Sequence, residues 1–324
     1  MAAAKAQSNL PRIGFVGAGA VATTLAQALA GIGEAPRGVS ARGMAHAEAL
    51  AASVPGCVAL PSAQDVAEAA DLIFLAVPDD LIAPVASSVR WQPRHRVVHL
   101  AGARSASELA AASRAGAQVA ALHPLMTFPR GAAPTPAQAL AKIEGATWAI
   151  ETGDDALLDL LIDLTSRLGG SWIRLTEADR VPYHLAAVLA SNYVVTLLAG
   201  AVRLWEGFGV PRSRALLALT RLTEAALGDL AAVGLPQALT GPVARGDLGT
   251  VTAHLAWQRA HLASDPQLLA LRDAYVALAR LAIPVAVEKG SLSPQAADEL
   301  RLALRDALAA PLDPPRHDSS RGSM

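Results

Sequence analysis

Short apolar runs alternate with stretches of helical periodicity over the first 176 residues. Between most of the runs, apolar side chains recur at the spacing of a helix, as in 21–32, 44–53, 107–113 and 155–168. This alternation is typical of a parallel, doubly wound sheet that helices cover on both faces. We therefore predict an α/β domain over residues 1–176. The predicted strands are 13–16, 38–41, 57–60, 72–77, 97–100, 119–122, 147–150 and 172–175.

The strand pattern stops after Glu177, and only helical periodicity follows. We predict an all-helical domain over residues 177–310 and, from its proline-rich polar composition, a disordered tail over 311–324. Within the first domain, the proline-rich stretch 125–141 has no clear period and is predicted to be a surface loop. The predicted helices of the second domain are 179–206, 212–232, 247–263, 266–282 and 294–309.

Two apolar segments could instead indicate a signal peptide or a membrane span. The first, 13–30, is interrupted by Gly14, Gly17 and Gly19, and a strand, a glycine turn and a helix account for it better. The second, 185–202, has no charge over 18 residues, which is the lower limit for crossing a bilayer. Polar residues lie near its middle, and a helix apolar on all sides is also typical of the centre of a helical domain. We expect no membrane association.

The composition restricts the classes of function. The 324 residues include 27 Lys plus Arg and 28 Asp plus Glu, so that the net charge is −1 and a nucleic-acid-binding surface is not expected. Cys57 is the only cysteine in the sequence, which excludes an internal disulfide and a cysteine-rich zinc or iron–sulfur site. We predict a cytoplasmic protein that binds no metal.

A glycine-rich turn follows the first predicted strand. Residues 12–22 read Arg-Ile-Gly-Phe-Val-Gly-Ala-Gly-Ala-Val-Ala, a strand that leads into G-x-G-x-x-A and then a helix. The first glycine of this pattern permits a tight turn, and the second lets the backbone approach a pyrophosphate. Free amides at the N-terminus of the helix attract the phosphates. We predict that a dinucleotide binds at Gly17, Ala18, Gly19, Ala20 and Val21.

The second predicted strand lacks the acidic residue that NAD-binding sites usually place about twenty residues after the turn. Its end reads Gly-Val-Ser-Ala-Arg over 38–42. A carboxylate there would repel a 2′-phosphate, whereas the guanidinium of Arg42 and the hydroxyl of Ser40 would bind one. We therefore predict NADP(H) as the cofactor. The alternative is that Arg42 is an ordinary surface arginine.

Ligands of doubly wound sheets bind beyond the carboxyl ends of the strands. We predict that two such ends, Val77-Pro78 and Ala101-Gly102, lie near the nicotinamide. A neighbouring strand ends at His123, and an imidazole can donate or accept a proton near neutral pH. A histidine at a strand end is more often a hydrogen-bonded structural residue, which is the alternative for both His99 and His123.

Polar residues also interrupt the apolar helix predicted over 179–206. His184 and Ser191 lie about 20° apart in helical projection, and Asn192 lies about 80° from His184, so that all three are predicted to share one side. Polar groups on an apolar helix need partners, either in the protein or in a ligand. These three residues are therefore candidates for contact with a substrate.

A break between two later helices has a second candidate binding group. Thr240-Gly241 and Arg245 lie in this break, where free amides and a guanidinium could hold a carboxylate. The alternative is a turn between helices that Asp247 caps.

These motifs together resemble a family of bacterial oxidoreductases. They are the glycine turn, Phe74-Leu-Ala-Val-Pro78, His99-Leu-Ala-Gly102, Leu122-His-Pro-Leu125, Tyr183-His184, Ala190-Ser-Asn192 and Leu239-Thr-Gly-Pro242 with Arg245-Gly-Asp247. The family joins a Rossmann-like domain to a C-terminal domain of unknown function, DUF2520. More distantly, the chain is similar to the superfamily of 6-phosphogluconate and 3-hydroxyacid dehydrogenases, ketopantoate reductase, pyrroline-5-carboxylate reductase and prephenate dehydrogenase. The resemblance implies NAD(P)-dependent oxidoreduction and a homodimer formed through the helical domain.

The sequence departs from that superfamily at one catalytic position. The hydroxyacid dehydrogenases and ketopantoate reductase have Lys-x-x-x-Asn on their first long helix, with the lysine as the proton donor. If Asn192 matches their asparagine, the lysine position is Val188, and the sequence has no lysine between 143 and 288. His184 and His123 remain as the two candidate donors.

The prediction from the sequence is an NADPH-dependent reductase of a small anionic 2-oxo acid, with ketopantoate as the first candidate. Alternatives are oxidation like that of prephenate or 3-hydroxyacid dehydrogenases, reduction like that of pyrroline-5-carboxylate reductase, and a protein that senses NADP(H) without catalysis. His184 or His123 is predicted to donate the proton while Asn192 orients the carbonyl group. The predicted substrate-binding residues are Ser191, Thr240, Gly241 and Arg245.

Overall fold

All eight predicted strands are present, and they form one sheet in the computed structural model. The structure describes residues 10–131, 133–261 and 266–309, so that the predicted tail 311–324 lies outside the described residues. The strands are β1 (Ile13–Val16), β2 (Gly38–Ser40), β3 (Val58–Ala59), β4 (Leu72–Leu75), β5 (Arg96–His99), β6 (Gln118–Pro124), β7 (Thr147–Glu151) and β8 (Ser171–Arg174). Their order across the sheet is β3-β2-β1-β4-β5-β6-β7-β8.

Successive strand residues contribute to two different hydrophobic cores, as the period of a strand requires. Phe15 and Phe74 stack in one core with ring centroids 5.2 Å apart, while Ile73 and Leu75 are buried in the other. Helices therefore cover both faces of the sheet, and the predicted Rossmann-like architecture is confirmed. The helices of this part of the chain are α1 (Ala20–Gly31), α2 (Met44–Ser53), α3 (Ala63–Ala69), α4 (Ile82–Ser88), α5 (Ala110–Arg114), α6 (Pro136–Ile143), α7 (Asp155–Arg167) and α8 (Arg180–Ala190).

The sheet is mostly parallel, and one pair of strands departs from the predicted direction. β6 and β7 are antiparallel, with Pro124 at the end of β6 opposite Trp148 near the start of β7. The segment after β6 leads into β7 at the same end of the sheet where β6 finishes. A parallel connection would instead have to cross to the end of the sheet where β6 begins. β8 then pairs with β7 in parallel.

The prediction of one continuous loop over 125–141 is wrong in its second half, because α6 begins at Pro136. Thr135 caps this helix: its hydroxyl accepts from the backbone N–H of Gln138, whose side chain in turn accepts from the backbone N–H of Thr135. Proline is well tolerated at the first position of a helix, where its missing N–H would have no partner. The proline taken as a loop signal therefore marks a helix start.

The described residues up to Ser191 form one compact unit, and those from Asn192 onward form a second. The second unit is helical throughout its described elements, in agreement with the prediction. Val276, Ile283 and Leu300 are among the buried residues of its own hydrophobic core. Its helices are α9 (Asn192–Gly207), α10 (Arg212–Val233), α11 (Leu248–His261), α12 (Pro266–Glu288) and α13 (Pro294–Ala309).

The single helix predicted over 179–206 is interrupted at Ser191. Its backbone angles, φ −128° and ψ −70°, end α8, and α9 begins at Asn192. Serine and asparagine compete with helical hydrogen bonds through their side chains and favour helix ends over helix interiors. The helical projection that grouped His184 with Ser191 and Asn192 therefore does not apply.

The stretch 177–207 is long and apolar enough to cross a membrane, by length and composition alone. Its most apolar window has a mean hydropathy of 1.9, and 6% of that window is buried. The expected burial of this segment in a helical core is therefore not found in the single chain. One such segment is weak support for a membrane span.

Candidate functional site

The glycine turn has the geometry that its sequence predicts. Gly17 follows β1 with a φ of +107°, and its N–H donates to the carbonyl oxygen of Ser40 at 2.7 Å. A Cβ atom at this position would collide with the carbonyl oxygen of Ala76. Gly19 precedes the first turn of α1, and a Cβ there would meet no other atom within 4 Å. The chain thus needs glycine at Gly17 for the turn itself and leaves open space beside Gly19.

A cavity of about 1100 Å³ lies beside this turn at the carboxyl ends of β1, β2 and β4. The free amides at the N-terminus of α1 are part of its wall. Sequence reasoning singled out eight of the lining residues, namely Gly17, Ala18, Gly19, Ala20, Ser40, Arg42, Val77 and Pro78. Their convergence on one cavity follows from strand order, since β1 lies between β2 and β4.

The charge of the cavity is positive. Arg42 lines it from the end of β2, and Arg130 lines it from the segment between β6 and α6. Among the described residues of the wall there is no aspartate or glutamate. A cavity with this charge, a helix N-terminus and a glycine turn fits a dinucleotide with an additional phosphate.

Sequence reasoning missed Arg130 and His46 as lining residues. Arg130 is the only charged residue in the stretch 125–141, and it stands beside Pro129 and Gly131, which also line the cavity. The composition of this stretch predicts a loop, but it does not indicate which part of the molecule the loop covers.

Three of the predicted cofactor-binding residues lie outside the lining of this cavity. Val21 packs against the hydrophobic core beneath the turn. Ala101 and Gly102 follow β5, and Gly102 faces a pair of histidines instead. A Cβ atom built on Gly102 would lie 2.6 Å from Nδ1 of His184 and 3.0 Å from Nε2 of His123.

The two candidate proton donors thus lie side by side. The imidazole rings of His123 and His184 have centroids 6.1 Å apart and an interplanar angle of 83°. Nδ1 of His123 lies 2.8 Å from the hydroxyl of Tyr183, and their rings meet edge to face. Nδ1 of His184 is buried and has no hydrogen-bond partner among the described residues. One nitrogen of each ring therefore points toward the bare backbone of Gly102.

Burial controls the protonation of His123 and Tyr183. Burial, followed by the neighbouring His184, Arg180 and His99, lowers the pKa of His123 to about 4. Burial raises the pKa of Tyr183 to about 12, against an opposing effect of Arg180. Near neutral pH, His123 is therefore an uncharged imidazole beside an un-ionised phenol.

A buried ion pair holds α8 against the sheet. Nε of Arg180 donates to Oε2 of Glu151 at 2.6 Å, and its Nη2 donates to the carbonyl oxygen of Ala121 at 2.8 Å. The other carboxylate oxygen of Glu151 accepts from the hydroxyl of Ser105 and the N–H of Ala106. Since Arg180 is only 1% exposed, these bonds position the first turn of α8, and with it Tyr183 and His184, next to β6. Sequence reasoning assigned no role to Arg180 or Glu151.

His99 is a structural residue, as the alternative interpretation holds. Its Nδ1 accepts from the N–H of Ala101, and its Nε2 donates to the carbonyl oxygen of Ser105. Both ring nitrogens are satisfied in the neutral form. Burial, more than any other cause, lowers the pKa of His99 to about 4.

We expect the protein to lose stability between pH 7 and pH 5 because of these two histidines. The folded-state pKa values of about 4 lie below the ordinary value of 6.5, so that the unfolded chain binds more protons as the pH falls. The expected loss at pH 5 is roughly 2 kcal/mol for each histidine. Urea unfolding at pH 7.5 and pH 5 measures it.

His99→Gln is the matched variant for this measurement, because it removes one of the titrating groups. The difference in unfolding free energy between the two pH values should shrink by roughly 2 kcal/mol, while His95, whose pKa is also lowered by burial, contributes equally in both proteins. An equal free energy of unfolding at both pH values in the wild-type protein would contradict the prediction.

All of the remaining predicted site residues except Ser191 belong to the second unit. Asn192 begins α9, and Gly241, with a φ of +97°, turns the chain between α10 and α11. Asp247 caps α11 by accepting from the N–H and hydroxyl of Thr250, as the alternative interpretation of this segment holds.

Arg245 is exposed, and Thr240 precedes the turn at Gly241. Their roles in substrate binding stay predictions from the sequence, as does that of Ser191 at the end of the first unit.

No cluster of three or more His, Cys, Asp or Glu side chains in the described part of the chain could hold a metal ion.

Two family models match different parts of the chain. Residues 12–101 match the family described as "NADP oxidoreductase coenzyme F420-dependent", and residues 146–282 match DUF2520, a domain of unknown function. The predicted pairing of an NADP oxidoreductase-type Rossmann domain with a DUF2520 domain is therefore confirmed. The comparison with curated proteins found no match.

Solved structures share the fold over nearly the whole chain. A candidate NADP oxidoreductase from Bacteroides fragilis is 22% identical, with a TM-score of 0.65 over 85% of this chain and 98% of its own. A pyrroline-5-carboxylate reductase from Streptococcus pyogenes is 17% identical, with a TM-score of 0.54 over 94% and 100%. A reductive aminase from Aspergillus terreus, in complex with NADPH, is 16% identical, with a TM-score of 0.52 over 93% and 94%. At these identities the likeness establishes the fold.

Proposed function

We propose that this protein is an NADP(H)-dependent oxidoreductase that reduces a carbonyl or imine bond of a small anionic compound. The observation that carries the proposal is the positively charged cavity at the glycine turn, which has two arginines and no acidic residue in its described wall. The matched oxidoreductase family and the NADPH complex of the reductive aminase support the choice of cofactor. We also propose that the protein is located in the cytoplasm, as the sequence predicts.

The chain would hold the cofactor through groups of three kinds. The amides of Gly19 and of the first turn of α1 would hold the pyrophosphate, because they lie at the positive end of the helix, while the N–H of Gly17 stays bonded to Ser40 within the turn. Arg42 and Ser40 would hold the 2′-phosphate, and Arg130 adds positive charge to the same cavity. The bound nicotinamide would supply the hydride.

The histidine pair would handle the proton. As the substrate carbon is reduced, negative charge develops on the carbonyl oxygen or imine nitrogen, and a preorganised donor beside that atom lowers the barrier. His123 and His184 direct one ring nitrogen each toward Gly102, so that both can contact the same substrate atom. Arg180 and Glu151 keep the pair in place.

The choice between a carbonyl and an imine substrate separates two versions of the proposal. The sequence favours a 2-oxo acid with ketopantoate as the first candidate, and the comparisons add no support for ketopantoate itself. Two structural neighbours, the pyrroline-5-carboxylate reductase and the reductive aminase, are named for reactions at carbon–nitrogen bonds, which favours the cyclic-imine alternative.

A panel of substrates tests this proposal. Small 2-oxo acids and cyclic imines are offered with NADPH, and hydroxy acids with NADP⁺, while the absorbance of the reduced cofactor is followed. Loss of NADPH absorbance with a member of the first two classes supports a reductase and names its bond type. Turnover of hydroxy acids alone indicates a dehydrogenase. Tight NADPH binding without any turnover indicates a cofactor-sensing protein and contradicts the proposal.

We expect Arg42→Asp to weaken NADPH binding by about 100-fold and NADH binding much less. The guanidinium would lose a charge-assisted contact with the 2′-phosphate, typically about 1.5–3 kcal/mol, and the new carboxylate would repel that group. Fluorescence titration with both coenzymes measures the change. Arg37→Asp is the matched control, because Arg37 is exposed beside the opposite end of β2 and lies outside the cavity lining. Equal weakening of both coenzymes by Arg42→Asp would contradict the 2′-phosphate role.

We further propose that a second copy of this chain covers the apolar surface of α8, in line with the homodimer that the sequence resemblance implies. Val181, Leu185 and Leu189 recur every four residues along this helix and are 67%, 55% and 55% exposed. Residues at this spacing form one stripe, and exposed apolar stripes of this kind mark interaction surfaces.

Leu185→Glu should convert the dimer into a monomer, because it places a charge within the stripe. Light scattering coupled to gel filtration gives the mass in solution. Val58→Glu, at a residue 56% exposed on β3, is the control and should leave the mass unchanged. A monomeric wild-type protein, or recovery of the protein with the membrane fraction, would contradict the proposed dimer.

A further inference from the structure

Tyr183 is the hydrogen-bond partner of the candidate proton donor His123, and no function has yet been given to it. Its hydroxyl lies 2.8 Å from Nδ1 of His123, and the two rings meet edge to face with centroids 5.6 Å apart. The hydroxyl is thus on one side of the imidazole, while Nε2 on the other side faces Gly102. The imidazole of His123 therefore lies between the Tyr183 hydroxyl and the place beside Gly102 where a substrate would be reduced.

The direction of this hydrogen bond depends on the tautomer of His123. A neutral imidazole donates through one nitrogen and accepts through the other. The bond to His123 is the only one that the structure gives the Tyr183 hydroxyl among the described residues. In the Nε2–H tautomer this hydroxyl donates to Nδ1, so that its hydrogen has an acceptor in the protein, and the ring proton lies on the side of Gly102.

We propose that Tyr183 is a positioning residue and proton reservoir that acts through His123, holding it in the Nε2–H tautomer and replacing the proton that this nitrogen gives to the substrate. The inference rests on the proposed function for its catalytic part. The tautomer is a property of the protein alone and can be tested without a substrate.

The proton balance explains why the imidazole needs the phenol. With the hydride that bound NADPH would supply to the carbonyl carbon, the C–O double bond would become a single bond, and Nε2 of His123 would give its proton to the oxygen. Nδ1 takes the proton from the Tyr183 hydroxyl in the same event, so that the imidazole stays neutral and the charge remains on the phenolate. Solvent then returns a proton to Tyr183. Without the phenol, a neutral imidazole would have to become an imidazolate, which is a much stronger base.

The charged and titratable groups around His123 keep it neutral over the working pH range. His184, Tyr183 and Arg180 face it from α8, and His99 faces it from β5. Burial and these neighbours lower the pKa of His123 to about 4, and burial raises that of Tyr183 to about 12. Between these limits, neither group changes its charge, so that proton donation by the pair should not depend on pH.

Nitrogen NMR of the full-length protein with ¹⁵N-labelled histidine tests the tautomer. The signals of His123 are identified by their loss in His123→Asn. We expect a protonated Nε2 and an unprotonated Nδ1 from pH 5 to pH 8, and a mixture of tautomers in Tyr183→Phe. A protonated Nδ1 in the wild-type protein would overturn the inference.

The pH dependence of kcat tests the relay, with ketopantoate and 1-pyrroline-5-carboxylate as the two probe substrates. In Tyr183→Phe only the imidazolium can donate, so that kcat should fall tenfold per pH unit above the pKa of His123. At pH 7 the expected loss is of the order of 10²–10⁴-fold. Tyr275→Phe is the matched control, because Tyr275 makes the same kind of bond, 3.0 Å to Nδ1 of His254, in the second unit.

The two parts of the experiment separate the possible failures. A flat pH profile with an unchanged kcat in Tyr183→Phe would overturn the relay. An equal loss in Tyr275→Phe would also overturn it, because the effect would then not belong to the pair at His123. A wild-type protein that reduces neither these probes nor any other member of the substrate panel contradicts the proposed function, and the nitrogen signals then decide the inference alone.

Discussion

Gly17→Ala is expected to abolish NADPH binding and to lower the melting temperature by several degrees. Gly17 has a φ of +107°, where a residue with a Cβ is strained by about 1–2 kcal/mol. The added carbon would also collide with the carbonyl oxygen of Ala76, which is backbone and cannot rotate away. The end of β1 must therefore move away from β4, and the turn that we propose to hold the pyrophosphate is lost with it. Thermal unfolding and calorimetric titration with NADPH measure the two effects.

Gly19→Val separates cofactor binding from folding. Gly19 has a φ of −79° that any residue can adopt, and a Cβ there meets no atom within 4 Å. The side chain would stand at the cavity, where the pyrophosphate has to approach the backbone. We expect an unchanged melting temperature together with a loss of NADPH affinity of about 100-fold or more. Wild-type affinity in Gly19→Val would show that the cofactor does not bind at this turn.

His123→Asn should lower kcat by about 10²–10⁴-fold and leave the dissociation constant of NADPH unchanged. The amide oxygen of asparagine can still accept from the Tyr183 hydroxyl, in the place of Nδ1, but the variant has no group in the place of Nε2. The change thus removes the proton donor while preserving the neighbouring hydrogen bond. Steady-state kinetics with the best compound of the substrate panel, together with a cofactor titration, measures both quantities.

His184→Ala and Asn192→Ala complete this experiment. A smaller loss in His184→Ala than in His123→Asn agrees with His123 as the donor and with His184 as a second contact to the same substrate atom. If His123→Asn retains full turnover, the donor is wrongly assigned. If all three variants retain it, the predicted catalytic residues are wrong as a group, even if the enzyme class is right.

Much of the fold could be predicted because it depends on local patterns. The bounds predicted for α2, 44–53, are those of the structure, and each predicted strand is present within a few residues. The glycine turn is encoded in the same way, since only glycine relieves the strain at Gly17. The start of α6 has a local signal too, because Thr135 and Gln138 have the spacing of a capping box, whereas the prolines around them favour a loop.

The antiparallel pairing of β6 and β7 had no such signal. Strand direction depends on where the connecting segment enters the sheet, and the apolar run of β7 reads the same in both directions. The break at Ser191 was marked by residue types that favour helix ends, yet the long apolar pattern around it indicated one helix.

The sequence by itself determined the Rossmann-like sheet, the glycine turn and the identity of the residues at the strand ends, because strand period, helix period and turn strain act between near neighbours. The tertiary structure decided which of these residues meet. Arg130 reaches the cavity beside the glycine turn, and Glu151 binds Arg180. Tyr183 and His184 lie against His123, which is 60 residues before the tyrosine in the chain. Such contacts join residues far apart in sequence, and their energies arise only once the sheet has brought β6 and α8 together.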